Sequence, residues 1–225
     1  MAKFVGIIGD TGSGKSRSIL NLDPKSTIVI SVLNKPLPFK SANKIYNKEN
    51  NNYVYLNDYS SLKVLLNNID KKAPHIKTII IDDMRYFMTT EFFNRALETG
   101  YTKFTQIAKN FQSVLDWIQV MRDDLVVFGM LHDEDVYNDK FIVTKKVKLP
   151  GQLIEKEYSP LETMTIALWC KPEVTKENIN YRFITNRTIV EGIEIPAKSP
   201  EGMFEELFIP NDLSIVLKAI NEYYN

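Results

Sequence analysis

Residues 9 to 16 read Gly-Asp-Thr-Gly-Ser-Gly-Lys-Ser and fit the pattern G-x-x-x-x-G-K-[ST], which carries meaning only where a strand precedes it and a helix follows. Both flanks are present. Lys3 to Gly9 places Phe4, Val5, Ile7 and Ile8 in a strand-like apolar run, and a short helical stretch is expected after Ser16, ending at Asp23-Pro24. In such a loop the glycines let backbone N–H groups wrap phosphate oxygens, and the helix N-terminus adds its positive end. Gly9, Asp10, Thr11, Gly12, Ser13, Gly14, Lys15, Ser16 and Arg17 are therefore the candidate binding residues. Lys15 is placed to reach the β and γ phosphates of ATP, and the Ser16 hydroxyl to ligate Mg²⁺.

A phosphate loop of this kind requires a second carboxylate on the metal side, at the end of a buried strand. Ile79-Ile80-Ile81-Asp82-Asp83 supplies it, because a continuous apolar triplet marks a strand covered on both faces of a parallel sheet. Asp82 is the metal-side candidate. Asp83 occupies the place of an acid that polarises the attacking water, with a helix N-cap as its alternative role. Asp58, after a short strand from Tyr53 to Leu56, is a weaker candidate base and equally a cap. His132 ends the apolar run Leu125 to Leu131 and is read as a catalytic-site sensor of the γ-phosphate, against a plain solvated strand boundary.

Elsewhere the pattern alternates between helix and strand. Ser60 or Ser61 is expected to cap a helix carrying Leu62, Leu65, Leu66 and Ile69. Arg85 to Glu98 and Lys103 to Arg122 read as two more helices, the second with Phe104, Ile107, Phe111, Val114, Leu115 and Ile118 on one stripe. Core packing is the preferred reading of those aromatics over a stacking platform. Residues 41 to 52 are Asn-rich and loop-like, and Phe141 to Lys148 with Pro150-Gly151 reads as a hairpin or mobile loop. Strands are expected again at Met164 to Trp169 and Tyr181 to Thr185, before a closing helix through Leu213, Val216, Leu217 and Ile220. The sum is one α/β domain over residues 1 to 225, a mainly parallel central sheet flanked by helices, with a β-rich C-terminal portion.

Cys170 is the single cysteine and there are two histidines, which excludes a disulfide framework and a multi-cysteine or His-rich metal site. Cys170 is expected in the core. With 44% hydrophobic residues, low-complexity disorder is excluded as well. No apolar run approaches a membrane span and no secretory leader is evident, so a cytoplasmic protein is expected, without a membrane partner. Net charge is zero, yet residues 1 to 112 hold 16 basic against 9 acidic residues and residues 113 to 225 hold 12 against 19. Halves of opposite sign favour a head-to-tail contact between copies.

Gly9 to Ser16, Asn34-Lys35-Pro36-Leu37-Pro38, Ile79 to Asp83, Gly100-Tyr101-Thr102-Lys103-Phe104, His132-Asp133-Glu134, Ala197-Lys198-Ser199-Pro200 and Ile209-Pro210-Asn211-Asp212-Leu213 together resemble the bacteriophage ATP-binding proteins of the RecA-like P-loop class. The resemblance covers nearly the whole chain. It implies a RecA-like P-loop NTPase fold and an ATPase using ATP and Mg²⁺ in phage DNA recombination, annealing or replication. Some relatives are single-strand annealing recombinases, so single-stranded DNA, a phage single-stranded DNA-binding protein and a head-to-tail homo-oligomer in the host cytoplasm are the implied partners and setting. The glutamate that RecA-class enzymes carry after an earlier strand has no clear counterpart here, and the base stays open. Lys145, Lys146, Lys148, Arg187 and Lys198 are the candidates for a cation donated to a neighbouring copy. Lys145 to Lys148 and the region Arg95 to Lys109 are the candidate DNA contacts. A nucleotide or small-molecule kinase and a non-catalytic nucleotide switch are the alternatives; the scattered arginines offer no lid for the former.

Overall fold

The computed structural model describes residues 1–150 and 159–224. Its centre is an eight-stranded sheet in the order β12-β9-β8-β1-β5-β4-β2-β3. The strands are β1 (Lys3–Ile8), β2 (Thr27–Ser31), β3 (Tyr53–Tyr55), β4 (Thr78–Asp82), β5 (Val126–Leu131), β8 (Ile166–Val174), β9 (Ile179–Ile184) and β12 (Phe208–Pro210). From β8 across to β3 every neighbouring pair is parallel, and β9 joins β8 and β12 antiparallel. The sheet is thus mostly parallel, as the uninterrupted β-branched runs predict. A second sheet, β10-β11-β7-β6, is built from β6 (Asp133–Asn138), β7 (Phe141–Val147), β10 (Thr188–Val190) and β11 (Ile193–Ile195). The expected C-terminal β-richness is this sheet together with β8, β9 and β12.

Alternation along each central strand feeds two cores. Ile79 and Ile81 of β4, with Phe4, Ile8, Val127 and Leu131, pack on one face against Leu62, Leu66 and Ile69 of α2 (Tyr59–Lys72), Phe87 and Met88 of α3 (Tyr86–Asn94), and the Ile107-Phe111-Val114-Ile118 stripe of α4 (Thr102–Val120). Ile80, with Val5, Ile7, Val29 and Phe128, faces the other way onto Ile19, Leu213, Val216 and Ile220. The last three belong to α6 (Leu213–Tyr224). The aromatics of α4 that point inward are core, as expected. Two short helices, α1 (Ala42–Ile45) and α5 (Pro160–Thr163), complete the set.

Three local expectations are corrected. The helix after the loop is a single 3-10 turn, Ser16–Ile19. Ser18 turns its hydroxyl back onto Lys15 O at 2.5 Å, the local bond that competes with helix propagation, and Pro24 forbids extension. Asp58, not Ser60 or Ser61, caps α2, accepting from Ser61 N at 2.8 Å. Its carboxylate serves the helix end, which removes it as a base. The Asn-rich stretch contains α1, a helix too short for periodicity to reveal. The Phe141 to Lys148 segment is a hairpin arm, β7 pairing antiparallel with β6, while Gly151 lies outside the described residues.

Arg122 ties the far end of the molecule together. Its guanidinium donates to Ile69 O, Asp70 O, Ala73 O and Ile76 O, joining the C-terminal end of α2 to the turn that enters β4. Because β1, β5, β4 and β2 are parallel, their C-terminal ends meet along the opposite edge. Gly9, His132, Asp82-Asp83 and the Asn34-Lys35 turn all emerge there, and strand order sets His132 between the glycine loop and the two aspartates.

Candidate functional site

The loop from Gly9 to Ser16 is anchored by Gly9 N on Leu131 O (3.2 Å) and turned by Ser13 N on Asp10 O (3.2 Å). Gly12 (φ +78°) and Gly14 (φ +97°) lie in backbone space that a side chain strains. At Gly14 the constraint is double, because a Cβ would stand 2.6 Å from Tyr181 Cδ1. Gly14→Ala should therefore destabilise the protein by about 1–3 kcal/mol, and more than Gly12→Ala, whose Cβ meets open space. Urea denaturation of both variants checks this; equal losses would mean that Tyr181 yields freely.

Lys15 is only 7% exposed, and its ammonium folds onto Gly9 O (2.6 Å) and Asp10 O (2.8 Å). Burial holds its pKa below the usual lysine value, against the opposing pull of nearby acids. The Ser16 hydroxyl donates to Asp82 Oδ1 at 2.9 Å, joining the loop to the end of β4. Asp82 is 4% exposed; burial first, and then the charge of Asp83, push its pKa up to about 6. The segments read separately as phosphate loop and metal-side strand thus converge on one bond.

Asp83 sits in the left-handed region at φ +58°. It is not a cap: the N-cap of α3 is Arg85, which makes no side-chain cap bond, and Asp83 contributes only its carbonyl, to Tyr86 N at 2.9 Å. Its carboxylate instead meets Lys35 Nζ at 2.5 Å. Burial would lower the Lys35 pKa, but the bond to Asp83 outweighs it and the ammonium is held more firmly protonated.

His132 lies beside this pair. Its ring meets Tyr86 edge-on at 6.2 Å, and Nδ1 is buried without a hydrogen-bond partner. Burial, followed by the charge of Lys15, pushes its pKa down to about 4, so the imidazole is neutral near pH 7 and can accept or donate without adding charge. Lys15, Ser16, Asp83 and His132 surround a cleft of about 420 Å³, with Arg17, Lys35, Tyr86 and Tyr181 on its walls. Arg17 lies over the Tyr181 ring at 5.4 Å.

Sequence reasoning missed three of these wall residues as site members. Lys35 stood only within a proline-rich segment, and Tyr86 and Tyr181 carry no motif; distance along the chain hid all three. Conversely, several proposed cations are engaged elsewhere. Lys145 pairs with Asp135 (2.8 Å) and Asp133 (3.2 Å), Lys146 with Glu134 (3.0 Å), and Arg187 with Glu194 (2.7 Å). Lys148 donates its backbone N–H to His132 O and Lys198 pairs with Ala167 through its backbone, bonds that leave both ammonium groups as candidates. Arg95 is held by Glu91 and Glu98. Cys170 is buried behind the loop, and burial pushes its thiol up to about 12, so it is an inert core residue.

Among the described residues no group of three or more His, Cys, Asp or Glu is placed to hold a metal ion, and no helix is long and apolar enough to cross a membrane. No protein-family model matches the chain, and no curated protein matches it. Among solved structures it is similar to a KaiC-like protein from the hyperthermophilic archaeon Pyrococcus horikoshii OT3, with a TM-score of 0.45 and 10% identity over 81% of this chain and 77% of that one.

Proposed function

We propose that the chain is a magnesium-dependent ATPase of the P-loop class, converting ATP to ADP and phosphate. The observation that carries this reading is the Ser16–Asp82 hydrogen bond at the root of a glycine loop whose lysine is buried at its mouth. A cation suits that place, because the Asp82 carboxylate is buried, has its proton affinity raised by burial, and forms no ion pair within 4.0 Å among the described residues. Ser16 and Asp82 would hold Mg²⁺, which when bound neutralises charge on the phosphate oxygens. Lys15 supplies the fixed positive charge, the loop N–H groups orient the phosphates, and Asp83 is the group placed to accept a proton from water. His132 is the neutral polar side chain between them, suited to report the terminal phosphate to β6.

The resemblance to phage RecA-like proteins extends the proposal to DNA recombination, annealing or replication, with single-stranded DNA, a phage single-stranded DNA-binding protein and head-to-tail copies as partners in the cytoplasm. Exposed Phe93, Leu97 and Tyr101, with the Lys103 ammonium over the Phe92 and Phe104 rings, support the α3–α4 end as a DNA contact. A second reading, a nucleotide switch without hydrolysis, is favoured by the Lys35–Asp83 pair, which occupies the base. Phosphate release from Mg·ATP, measured with and without single-stranded DNA and without any acceptor, separates the readings. Turnover that DNA raises supports the full proposal, turnover indifferent to DNA removes the DNA role, and tight binding without release identifies a switch.

A further inference from the structure

We infer that Lys35 is an internal sensing cation: it holds the Asp83 carboxylate while no triphosphate is present and transfers to the terminal phosphate when one is bound. This rests on the nucleotide reading above and deepens it, because it assigns triphosphate-versus-diphosphate discrimination to a residue outside the motifs.

The pair is asymmetric in a way that suits an exchangeable contact. The Asp83 carboxylate is 7% exposed and fixed by a left-handed backbone, whereas the Lys35 side chain is 57% exposed. A half-exposed pair adds little to stability, so the strained backbone at Asp83 and at Asn34 (φ +54°) is not explained by structural gain from the pair. The base of the Lys35 turn, by contrast, is rigid. Tyr53 OH donates to Lys35 O at 2.9 Å, Leu37 is buried, and Pro36 and Pro38 fix the backbone on either side of it. A pinned backbone with a free four-carbon arm moves only its ammonium.

Both partners open onto the cleft that Lys15 and Ser16 line. A terminal phosphate carries more negative charge than a carboxylate and offers more acceptor oxygens, so within reach it outcompetes Asp83 for the ammonium. ADP lacks that group and leaves the pair closed. Once released, Asp83 Oδ2 is free to take the proton that water loses as its oxygen bonds the terminal phosphorus and the bridging oxygen leaves with ADP. Triphosphate binding thereby unmasks its own base, and the cleft without triphosphate keeps the base neutralised.

The test is equilibrium binding of Mg·ATP and Mg·ADP to the wild type, Lys35→Ala, Lys35→Arg, Asp83→Asn and Lys15→Ala, each checked for native circular dichroism. Lys35→Ala should lose ATP preference over ADP on the order of tenfold, the worth of one charge-assisted hydrogen bond, with ADP affinity unchanged. Lys35→Arg should keep most of it. Asp83→Asn, which leaves Lys35 intact, should raise ATP affinity by removing the competitor while lowering phosphate release. An unchanged ATP:ADP ratio in Lys35→Ala, or equal loss for both nucleotides, overturns the inference. So does Asp83→Asn with unaltered ATP affinity, an arm that holds even if Lys35→Ala fails to fold. Lys15→Ala separates the two levels: if it binds both nucleotides like wild type, the nucleotide reading itself fails.

Discussion

Lys15→Ala is expected to reduce phosphate release by at least the order of 10²–10³, the usual loss when a preorganised donor to the developing charge is removed, while barely moving the unfolding midpoint. The stability argument has two terms of opposite sign. Truncation removes the hydrogen bonds to Gly9 O and Asp10 O, and stranding a buried acceptor costs about 1–3 kcal/mol. It also removes a buried ammonium whose charged form burial disfavours, as its lowered pKa records. Asp10 O keeps Ser13 N as a second partner, which limits the first term. Lys15→Arg should not restore turnover, because a planar guanidinium has a different donor geometry and a larger head to place where only 7% of the residue is exposed. Measuring phosphate release and urea unfolding on the same preparations checks both halves. Wild-type release in Lys15→Ala would mean that phosphates are not held at this loop.

The sequence made the placement of the first two segments legible because each carries its residues in consecutive positions. Lys15 and Ser16 lie seven and eight residues past Ile8, and Asp82 ends an apolar run that can only be a covered strand. His132 was legible for the same reason, as the first polar residue after β5. What periodicity could not supply is which loop meets which. Lys35 and Asp83 are brought together because β2 and β4 are parallel neighbours, in register from Thr27–Thr78 to Ser31–Asp82, and pairing between strands is not written in either strand alone. Asp83 was open between base and cap because both roles place an aspartate before a helix. Its positive φ decides for the cleft and against the cap, and backbone handedness at a non-glycine residue leaves no compositional trace. The second sheet was blurred for a simpler reason: β10 and β11 have three residues each, too few to show alternation.

Asp82→Asn is expected to make the ligand-free protein more stable and the ligand-bound protein less so. The folded-state pKa of Asp82, about 6, lies above its reference value of 3.8, so the folded chain binds the proton more tightly than the unfolded chain. Folding stability must then fall as pH rises through this window, and the penalty is fully present above about pH 6. A shift of this size corresponds to about 3 kcal/mol, undiluted by solvent because the residue is 4% exposed. Asparagine abolishes the charge and the titration but keeps an Oδ1 to accept from Ser16, so near pH 7 the variant should unfold later than wild type, and the difference should vanish towards pH 4. Asp58 and Asp124, whose pKa values are lowered by their hydrogen bonds, give the opposite slope in both proteins; the wild-type-minus-variant difference cancels them. Saturating Mg·ATP reverses the order. A ligand at a hundred times its dissociation constant stabilises the folded state by about 2.7 kcal/mol, and the variant, without the metal-side carboxylate, should gain little of it. On the proposed reading, the Ser16–Asp82 contact would then be a place where stability is given up for binding, a buried carboxylate without a cationic partner being suited to take a metal ion. A variant that is less stable than wild type at pH 7 without ligand would show instead that Asp82 is engaged by a stabilising cation of the chain itself, and would remove it from the metal site.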